Sequence, residues 1–194
     1  MSATETAGRP LHAELAGYRR EIQAIREDAN RLVDGLSEAQ LQWSPSPERW
    51  SIAQCLDHLN NGWLALTKLD RAMTRAAEQG VRSEGPYRHP LLGRLYVRFT
   101  EPPPKLRVPA PKAYRPKPAP PATEVVPRFF ELQDEIAKRV VAADGLDLGK
   151  IRSSSPISRR FRMSLGQWFG FLLAHERRHL WQAWQVRKHP RFPN

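Results

Sequence analysis

Three histidines are the residues of this chain best suited to metal chemistry. His175 and His179 are four residues apart in FGFLLAHERRHLWQAW, and His58 lies in a second stretch with helical periodicity, WSIAQCLDHLNNGWLAL. On an α-helix, residues i and i+4 lie on one face about 6 Å apart, so both imidazoles could bind one metal ion. A third ligand from a facing helix would leave one coordination position for water or substrate, which is typical of catalytic rather than structural sites.

His175 and His179 lie on the apolar face of their amphipathic segment, which should be buried. The neighbours of His58 on its own face are mostly small, which leaves room for a ligand. The alternative is a hydrogen-bonded pair of core histidines with an unrelated third histidine. The first face consists of Leu165, Trp168, Leu172, His175, His179, Gln182 and Val186, and the second of Ser51, Cys55, His58, Gly62 and Ala65.

The string HERRH also matches the zinc-peptidase motif H-E-x-x-H, in which Glu176 would be the general base. Peptidases of that type take their third ligand downstream, from a histidine or a glutamate. No Asp or Glu follows His179, and Gln182 and Gln185 occupy the positions of the metzincin glycine and histidine. We therefore reject the peptidase interpretation and expect Glu176 to be a surface residue or to lie behind the ligands.

Cys55, the only cysteine, lies three residues before His58. Both could face one ion, which would give a closed structural site of one cysteine and three histidines. A lone buried cysteine more often behaves as a small core residue, and we favour that interpretation. A nucleophilic Cys55 would have only His58 as a basic partner within helical reach, so this role is disfavoured.

Four segments have the periodicity of long amphipathic helices. Ser37 and Gln40 form a capping-box pattern that predicts a short helical turn after the first of them, and Ser51 is placed to cap the second. The four predicted helices are residues 11–36, 51–80, 123–143 and 164–188. We expect an all-α fold, a four-helix bundle, in a single domain of residues 1–194. Metal sites in such bundles are built from inward side chains on facing helices.

The connection between the second and third helices, at about residues 82–122, is long for a compact domain. Twelve of the eighteen prolines lie between Pro86 and Pro127, which favours irregular or polyproline II structure, with room for one short helix at residues 90–99. Residues 86–123 contain eight basic residues and one acidic residue, a large share of the net charge of +11. Such segments are commonly lids or partner-binding surfaces.

A second basic cluster precedes the last helix and contains Arg152, Arg159, Arg160 and Arg162. The last three are candidates to approach the site and hold an anionic substrate. The chain has no DNA- or RNA-binding motif with interleaved aromatic residues, so we expect no specific nucleic acid among its partners.

The apolar runs are too short to span a bilayer, so we expect no membrane partner. The first ten residues lack the basic and apolar regions of a secretory signal, and a single cysteine cannot form an internal disulfide. We therefore expect a soluble protein in the cytoplasm. The exposed faces of a bundle leave room for a homodimer.

The chain resembles the DinB-like (damage-inducible, YfiT-like) metalloenzymes over nearly its whole length, except for the proline-rich stretch. The resemblance rests on LSEAQL at residues 36–41 with Trp43, Pro45 and Pro47, WSIA at 50–53, DHL at 57–59, Ser155-Pro156, SLG at 164–166 and HERRHLWQ at 175–182. It implies a four-helix bundle, and it places the three metal-ligand histidines of the family on His58, His175 and His179. Catalytic residues remain unassigned.

The resemblance also implies a reaction class. Some members of the family transfer low-molecular-weight thiols to electrophiles or isomerise thiol adducts, and one relative is similar to a metal-dependent hydrolase. We therefore expect one divalent ion per chain and a small-molecule substrate such as a thiol. The ligand residues do not distinguish zinc, nickel, iron and manganese. The alternatives are a hydrolase on the same site and a non-catalytic bundle that binds a partner through its basic proline-rich loop.

Overall fold

The computed structural model describes residues 10–105, 109–155 and 160–194. The chain is predominantly helical. Its α-helices are α1 (Ala13–Val33), α2 (Glu38–Gln42), α3 (Ile52–Leu59), α4 (Gly62–Glu78), α5 (Leu91–Thr100), α6 (Ala122–Ala142) and α7 (Leu165–Arg187). A 3₁₀ turn covers Lys112–Tyr114, and two short strands, β1 (Arg152–Ser154) and β2 (Arg162–Ser164), precede α7.

Capping boxes start three of the helices where the sequence predicts a start. In each capping box, the serine hydroxyl accepts a hydrogen bond from the backbone N–H of a glutamine three residues later, and the side chain of that glutamine accepts one from the backbone N–H of the serine. The serines are Ser37, Ser51 and Ser164. These reciprocal bonds satisfy amide groups that the first turn of a helix leaves unpaired. The predicted bounds of α1, α6 and α7 are confirmed to within three residues.

The predicted second helix is wrong as one continuous element, because it is broken between α3 and α4. Asn60 is the C-cap of α3, and its side-chain amide donates to the backbone oxygen of Val125 on α6 at 3.1 Å. Gly62 then passes close to α6, where a Cβ atom would lie 2.9 Å from Leu132. Tertiary contacts with α6 therefore redirect the chain directly after His58.

Two segments predicted to be irregular contain regular structure. The connection at residues 82–122 includes α5, which confirms the short helix expected at 90–99, and the 3₁₀ turn, which was not expected. The connection before α7 contains the antiparallel pair β1–β2, with Ser153 opposite Met163. Arg162 donates to the backbone oxygen of Arg152 across this pair at 3.1 Å, and Arg159 lies outside the described residues.

The core is formed where α7 packs against α1, α3 and α5, and where α6 packs against α1 and α3. Trp168, Phe169 and Phe129 are among its largest fully buried side chains. Because α7 has partners on several sides, it buries residues around most of its circumference. No helix in the described parts of the chain is both long and apolar enough to cross a membrane.

A cluster of Glu14, Tyr18, His89 and Ser164 ties the long connection to α1 and α7. His89 Nδ1 lies 2.8 Å from Ser164 Oγ, and His89 Nε2 lies 3.0 Å from Glu14 Oε1, which also accepts from Tyr18 at 2.7 Å. Ser164 is fully buried and caps α7, so its hydroxyl is a structural group rather than an accessible nucleophile. The sequence did not predict this long-range cluster.

The His89–Glu14 pair predicts a pH-dependent contribution to stability. Burial tends to raise the pKa of Glu14, but hydrogen bonds from His89 and Tyr18 hold that pKa below its ordinary value. A carboxyl whose pKa is lower in the folded state stabilises the fold above its unfolded pKa, and this contribution is lost as the pH falls through the folded value. We expect His89→Ala to lower the free energy of unfolding by about 1–3 kcal/mol at pH 7.

Urea unfolding at pH 7 and at pH 3 checks this expectation, because the difference between variant and wild type should shrink at the lower pH. The matched control is His189→Ala, since His189 is also half-buried but contacts the ring of Trp43, away from this cluster. An equal effect of His89→Ala at both pH values would show that the carboxylate interaction does not contribute.

Candidate metal centre

The structure brings the three predicted histidines together. His58 lies in the last turn of α3, His175 and His179 lie on one face of α7, and α3 packs directly against α7. One ring nitrogen from each histidine lies within 4.8 Å of the other two. His58 Nε2 and His175 Nε2 are 3.2 Å apart. The two histidines of α7 and the histidine at the end of α3 therefore meet at one place.

Hydrogen bonds fix the protonation of two of the three rings. His58 Nδ1 lies 2.6 Å from the backbone oxygen of Tyr114, and His179 Nδ1 lies 3.1 Å from Oε1 of Gln182. Both oxygens can only accept, so each Nδ1 carries the hydrogen. In a neutral ring the lone pair is then on Nε2. His58 Nε2 therefore presents a lone pair towards His175.

Burial keeps the three imidazoles uncharged at neutral pH. Desolvation is the largest cause of the shift in each ring, and it lowers the pKa of His175 to about 3. It also lowers the pKa of His58, against the opposing effect of the Tyr114 carbonyl, and it lowers that of His179 well below its ordinary value. Mutual repulsion among the rings and the nearby Arg178 act in the same direction on His175 and His179. Only a neutral imidazole can bind a metal ion.

Aromatic rings surround the histidines. Trp50, which directly precedes the capping residue of α3, stacks on His179 with ring centres 5.7 Å apart and contacts His58 at 4.9 Å. Phe171 stacks on His175 at 5.5 Å, and Tyr96 of α5 stacks on Phe171 at 5.3 Å. These rings restrict the orientation of the imidazoles and shield them from water.

The residues present fit a divalent metal ion. Imidazole nitrogens bind such ions at about 2.1 Å, so two of them on one tetrahedral ion are about 3.4 Å apart. The 3.2 Å between His58 Nε2 and His175 Nε2 is close to that separation. Imidazole ligands commonly donate their other N–H to a carbonyl or carboxylate, as His58 and His179 do.

Glu176 and Cys55 are not part of this cluster. Glu176 is buried, which excludes the first of the two predicted positions, at the surface, and its Oε1 accepts from Gln133 Nε2 of α6 at 2.9 Å. Burial raises the pKa of the Glu176 carboxyl to about 8. Cys55 is fully buried, and desolvation raises the pKa of its thiol. Among the described residues, the metal-capable group contains His58, His175 and His179 without either side chain.

A sequence match identifies the family of the chain. The sequence matches the DinB superfamily over residues 21–183. The chain belongs to the DinB superfamily. Searches of curated proteins and of solved structures gave no significant match. The predicted family is thus confirmed, and the match spans all three histidines of this DinB protein.

Sequence reasoning missed three residues around the cluster of this DinB protein. Trp50 was noticed only as part of a motif, and Gln182 was placed on the face of the two histidines without a role, although each contacts a histidine. Gln182 lies three residues after His179, so helical spacing could have identified it. Tyr114 contributes a backbone carbonyl from a segment 56 residues away from His58, and a backbone contact of that kind leaves no signal in the sequence.

Proposed function

We propose that this protein is a divalent-metal-dependent enzyme in which His58, His175 and His179 bind one ion. The observation that carries the proposal is the convergence of three neutral imidazoles, two of which have their Nδ1 hydrogens engaged elsewhere. Three protein ligands leave a coordination position for a substrate or for water, as in catalytic zinc sites. The match to the DinB superfamily supports the same interpretation.

We further propose that the four long helical segments α1, α3 with α4, α6 and α7 form the four-helix bundle of a single domain covering residues 1–194. The pairwise packing of α1 and α3 against both α6 and α7 supports this arrangement. The connection at residues 82–122 would then be an addition to the bundle. A cytoplasmic location and a homodimer remain expectations from the sequence.

The ligand set favours an anionic substrate group. A divalent ion bound by three imidazoles lowers the pKa of a bound thiol or water, which supplies a nucleophile at neutral pH. Imidazole ligands carry no negative charge, so they would leave the full positive charge of a bound ion available to an anionic group, and burial lowers the pKa of each ring so that none takes up a proton at neutral pH. Trp50 and Phe171 exclude water from two of the rings, which strengthens electrostatic interactions at the site.

We propose a low-molecular-weight thiol as the substrate and its transfer to an electrophile as the reaction. A thiolate is an anion with a soft donor atom, which suits zinc and related ions. The resemblance to the thiol-transferring members of the DinB-like metalloenzymes supports this choice. The Glu176 carboxyl accepts from Gln133 of α6 and lies outside the metal-capable group of the described residues, which disfavours the role of a peptidase general base.

Cobalt-loaded protein offers a direct test of the substrate class. Titration with a panel of low-molecular-weight thiols should produce thiolate-to-cobalt absorption, and the effective thiol should be consumed only when an electrophile is added. Absence of this absorption with every thiol, together with metal-dependent ester or amide hydrolysis, would instead identify a hydrolase on the same three ligands. His58→Ala protein is the control for thiol bound elsewhere.

One observation favours a second candidate function, the binding of a partner through the basic connection. The outer face of α5 exposes Leu91, Leu92, Leu95 and Phe99 beside the exposed Arg94 and Arg98. If this face binds a partner, Leu95→Ser and Arg98→Gln should weaken a salt-dependent interaction while metal content stays unchanged. Unaltered binding in both variants would leave the enzyme as the proposed function. Deletion of the whole connection would not separate the two functions, because Tyr114 contacts His58.

A further inference from the structure

The proline-rich connection lies along the polar side of α3. We call residues 112–118 the strap. The strap begins with the 3₁₀ turn, in which the amide of Tyr114 donates to the backbone oxygen of Pro111 at 2.8 Å, and Arg115 then follows in an extended conformation. Through Tyr114 the strap contacts His58, the candidate metal ligand on α3.

Two side chains of α3 hold the strap on both sides of Lys117. The Lys117 amide donates to Asp57 Oδ2 at 2.8 Å. Gln54 Nε2 donates to the backbone oxygens of Lys117 at 3.3 Å and of Pro118 at 2.9 Å. Gln54 also accepts from the Ser51 amide in the capping box, so one side chain both starts α3 and binds the strap.

The carbonyl of Tyr114 is the point where the strap meets the metal centre. It accepts from His58 Nδ1 at 2.6 Å and from Asn61 Nδ2 at 3.4 Å. Asn61 Nδ2 also donates to the backbone oxygen of His58 at 3.0 Å. A neutral histidine without this acceptor is free to move its hydrogen to Nε2, and that form has no lone pair for an ion at the centre. The Tyr114 carbonyl therefore selects the form of His58 that can bind a metal.

The strap reaches this position at a low entropic cost. Pro116 and Pro118 of the strap, and Pro111 directly before it, have restricted φ angles, so the segment loses less conformational freedom on ordering than a chain without prolines. Its hydrogen bonds run mainly from backbone groups of the strap to side chains of α3. Loss of those side chains should release the strap while leaving the helices of the core in place.

We infer that the strap is a positioning element of the metal centre, which orients His58 through the Tyr114 carbonyl and is held in place by Gln54 and Asp57. This inference rests on the proposed function for its effect on metal affinity. It gives the proline-rich connection a role in tuning the site. Outer hydrogen bonds to metal ligands typically change metal affinity by about 10–100-fold.

Two variants test the inference because they release the strap with opposite changes in charge. Gln54→Glu keeps an acceptor for the Ser51 amide but removes the donor to the strap, and it adds a negative charge. Asp57→Ala removes the acceptor for the Lys117 amide together with a negative charge. Charge alone would strengthen cation binding in the first variant and weaken it in the second. We expect the zinc Kd to rise by at least about tenfold in both.

The chain provides a close control for Gln54→Glu. Gln40 occupies the same capping-box position in α2, and its Nε2 donates to the backbone oxygen of Pro193 at 3.1 Å, away from the metal centre. Gln40→Glu makes the same chemical change and should leave the zinc Kd within about twofold of wild type. Asp134→Ala, which removes an exposed carboxylate from α6, is the control for Asp57→Ala.

The form of the His58 ring in metal-free protein is the second measurement. In the wild type, ¹⁵N NMR should show His58 with hydrogen on Nδ1, and both strap variants should show a mixture. The NMR measurement of the His58 ring does not depend on metal binding. If the wild type fails to bind metal, the proposed function is overturned, but the NMR test of the strap still applies. Wild-type zinc affinity and an unchanged His58 ring in both strap variants would overturn the inference.

Discussion

His175→Ala protein, purified without a histidine tag, is expected to lose its divalent ion. The wild type should bind one equivalent of zinc, nickel, iron or manganese per chain, measured by elemental analysis after loading and desalting. His175 contacts both other ligands, since its Nε2 is 3.2 Å from that of His58 and its ring centre lies 4.6 Å from that of His179. Two remaining nitrogens make a poor site, so the affinity should fall by more than the roughly hundredfold effect of losing an outer hydrogen bond.

The same loss is expected for His58→Ala, although that residue lies on a different helix. His189→Ala is the matched control, because His189 lies after α7 and is not in the cluster. It should retain a full equivalent of metal. If wild-type protein binds no ion after exposure to each metal, or if His175→Ala retains a full equivalent, the three-histidine centre is not a metal site.

The helix that carries two of the three ligands could be predicted from local signals. The bounds of α7 follow from the capping pair Ser164 and Gln167 at one end and Pro190 beyond the other. The shared face of His175 and His179 follows from the helical repeat alone. These signals depend on residues within one or two turns of each other, which is why a single sequence is sufficient.

The break after His58 could not be predicted, because its cause is tertiary. The segment from Ser51 to Gly80 keeps helical periodicity through Asn60 and Asn61, and neither residue forbids a helix. The chain turns there because Asn60 binds the Val125 carbonyl and Gly62 packs closely on Leu132 of α6. Such contacts depend on how two distant helices pack, and hydrophobic periodicity contains no information about them.

The contacts that orient the ligands also could not be predicted from the sequence. A tyrosine in a proline-rich segment gives no indication that its backbone carbonyl will accept from a histidine. The pair of His89 and Glu14 is similar, since 75 residues separate its members. The sequence therefore identified which side chains could bind a metal, whereas the hydrogen bonds that select their reactive form required the fold.

Trp168→Ala is expected to produce the largest loss of stability among single substitutions considered for α7. Trp168 is fully buried and meets Phe171 edge to face, with ring centres 6.0 Å apart. Truncation of a buried tryptophan to alanine costs about 3–5 kcal/mol through lost contacts and the cavity that remains. Because Phe171 stacks on His175, the same cavity should loosen a metal ligand and lower zinc affinity.

Trp168→Phe separates the ring packing from the indole N–H. Trp168 Nε1 is buried and has no hydrogen-bond partner within the described residues, so phenylalanine removes an unpaired polar group while keeping most of the ring. We expect a cost of only about 1–2 kcal/mol, since the lost packing is partly offset. Trp181→Ala on the same helix should cost less than about 1 kcal/mol, because Trp181 is 36% exposed. Urea unfolding of all three variants measures these differences, and equal losses for Trp168→Ala and Trp181→Ala would show that the core beside the metal centre tolerates a cavity.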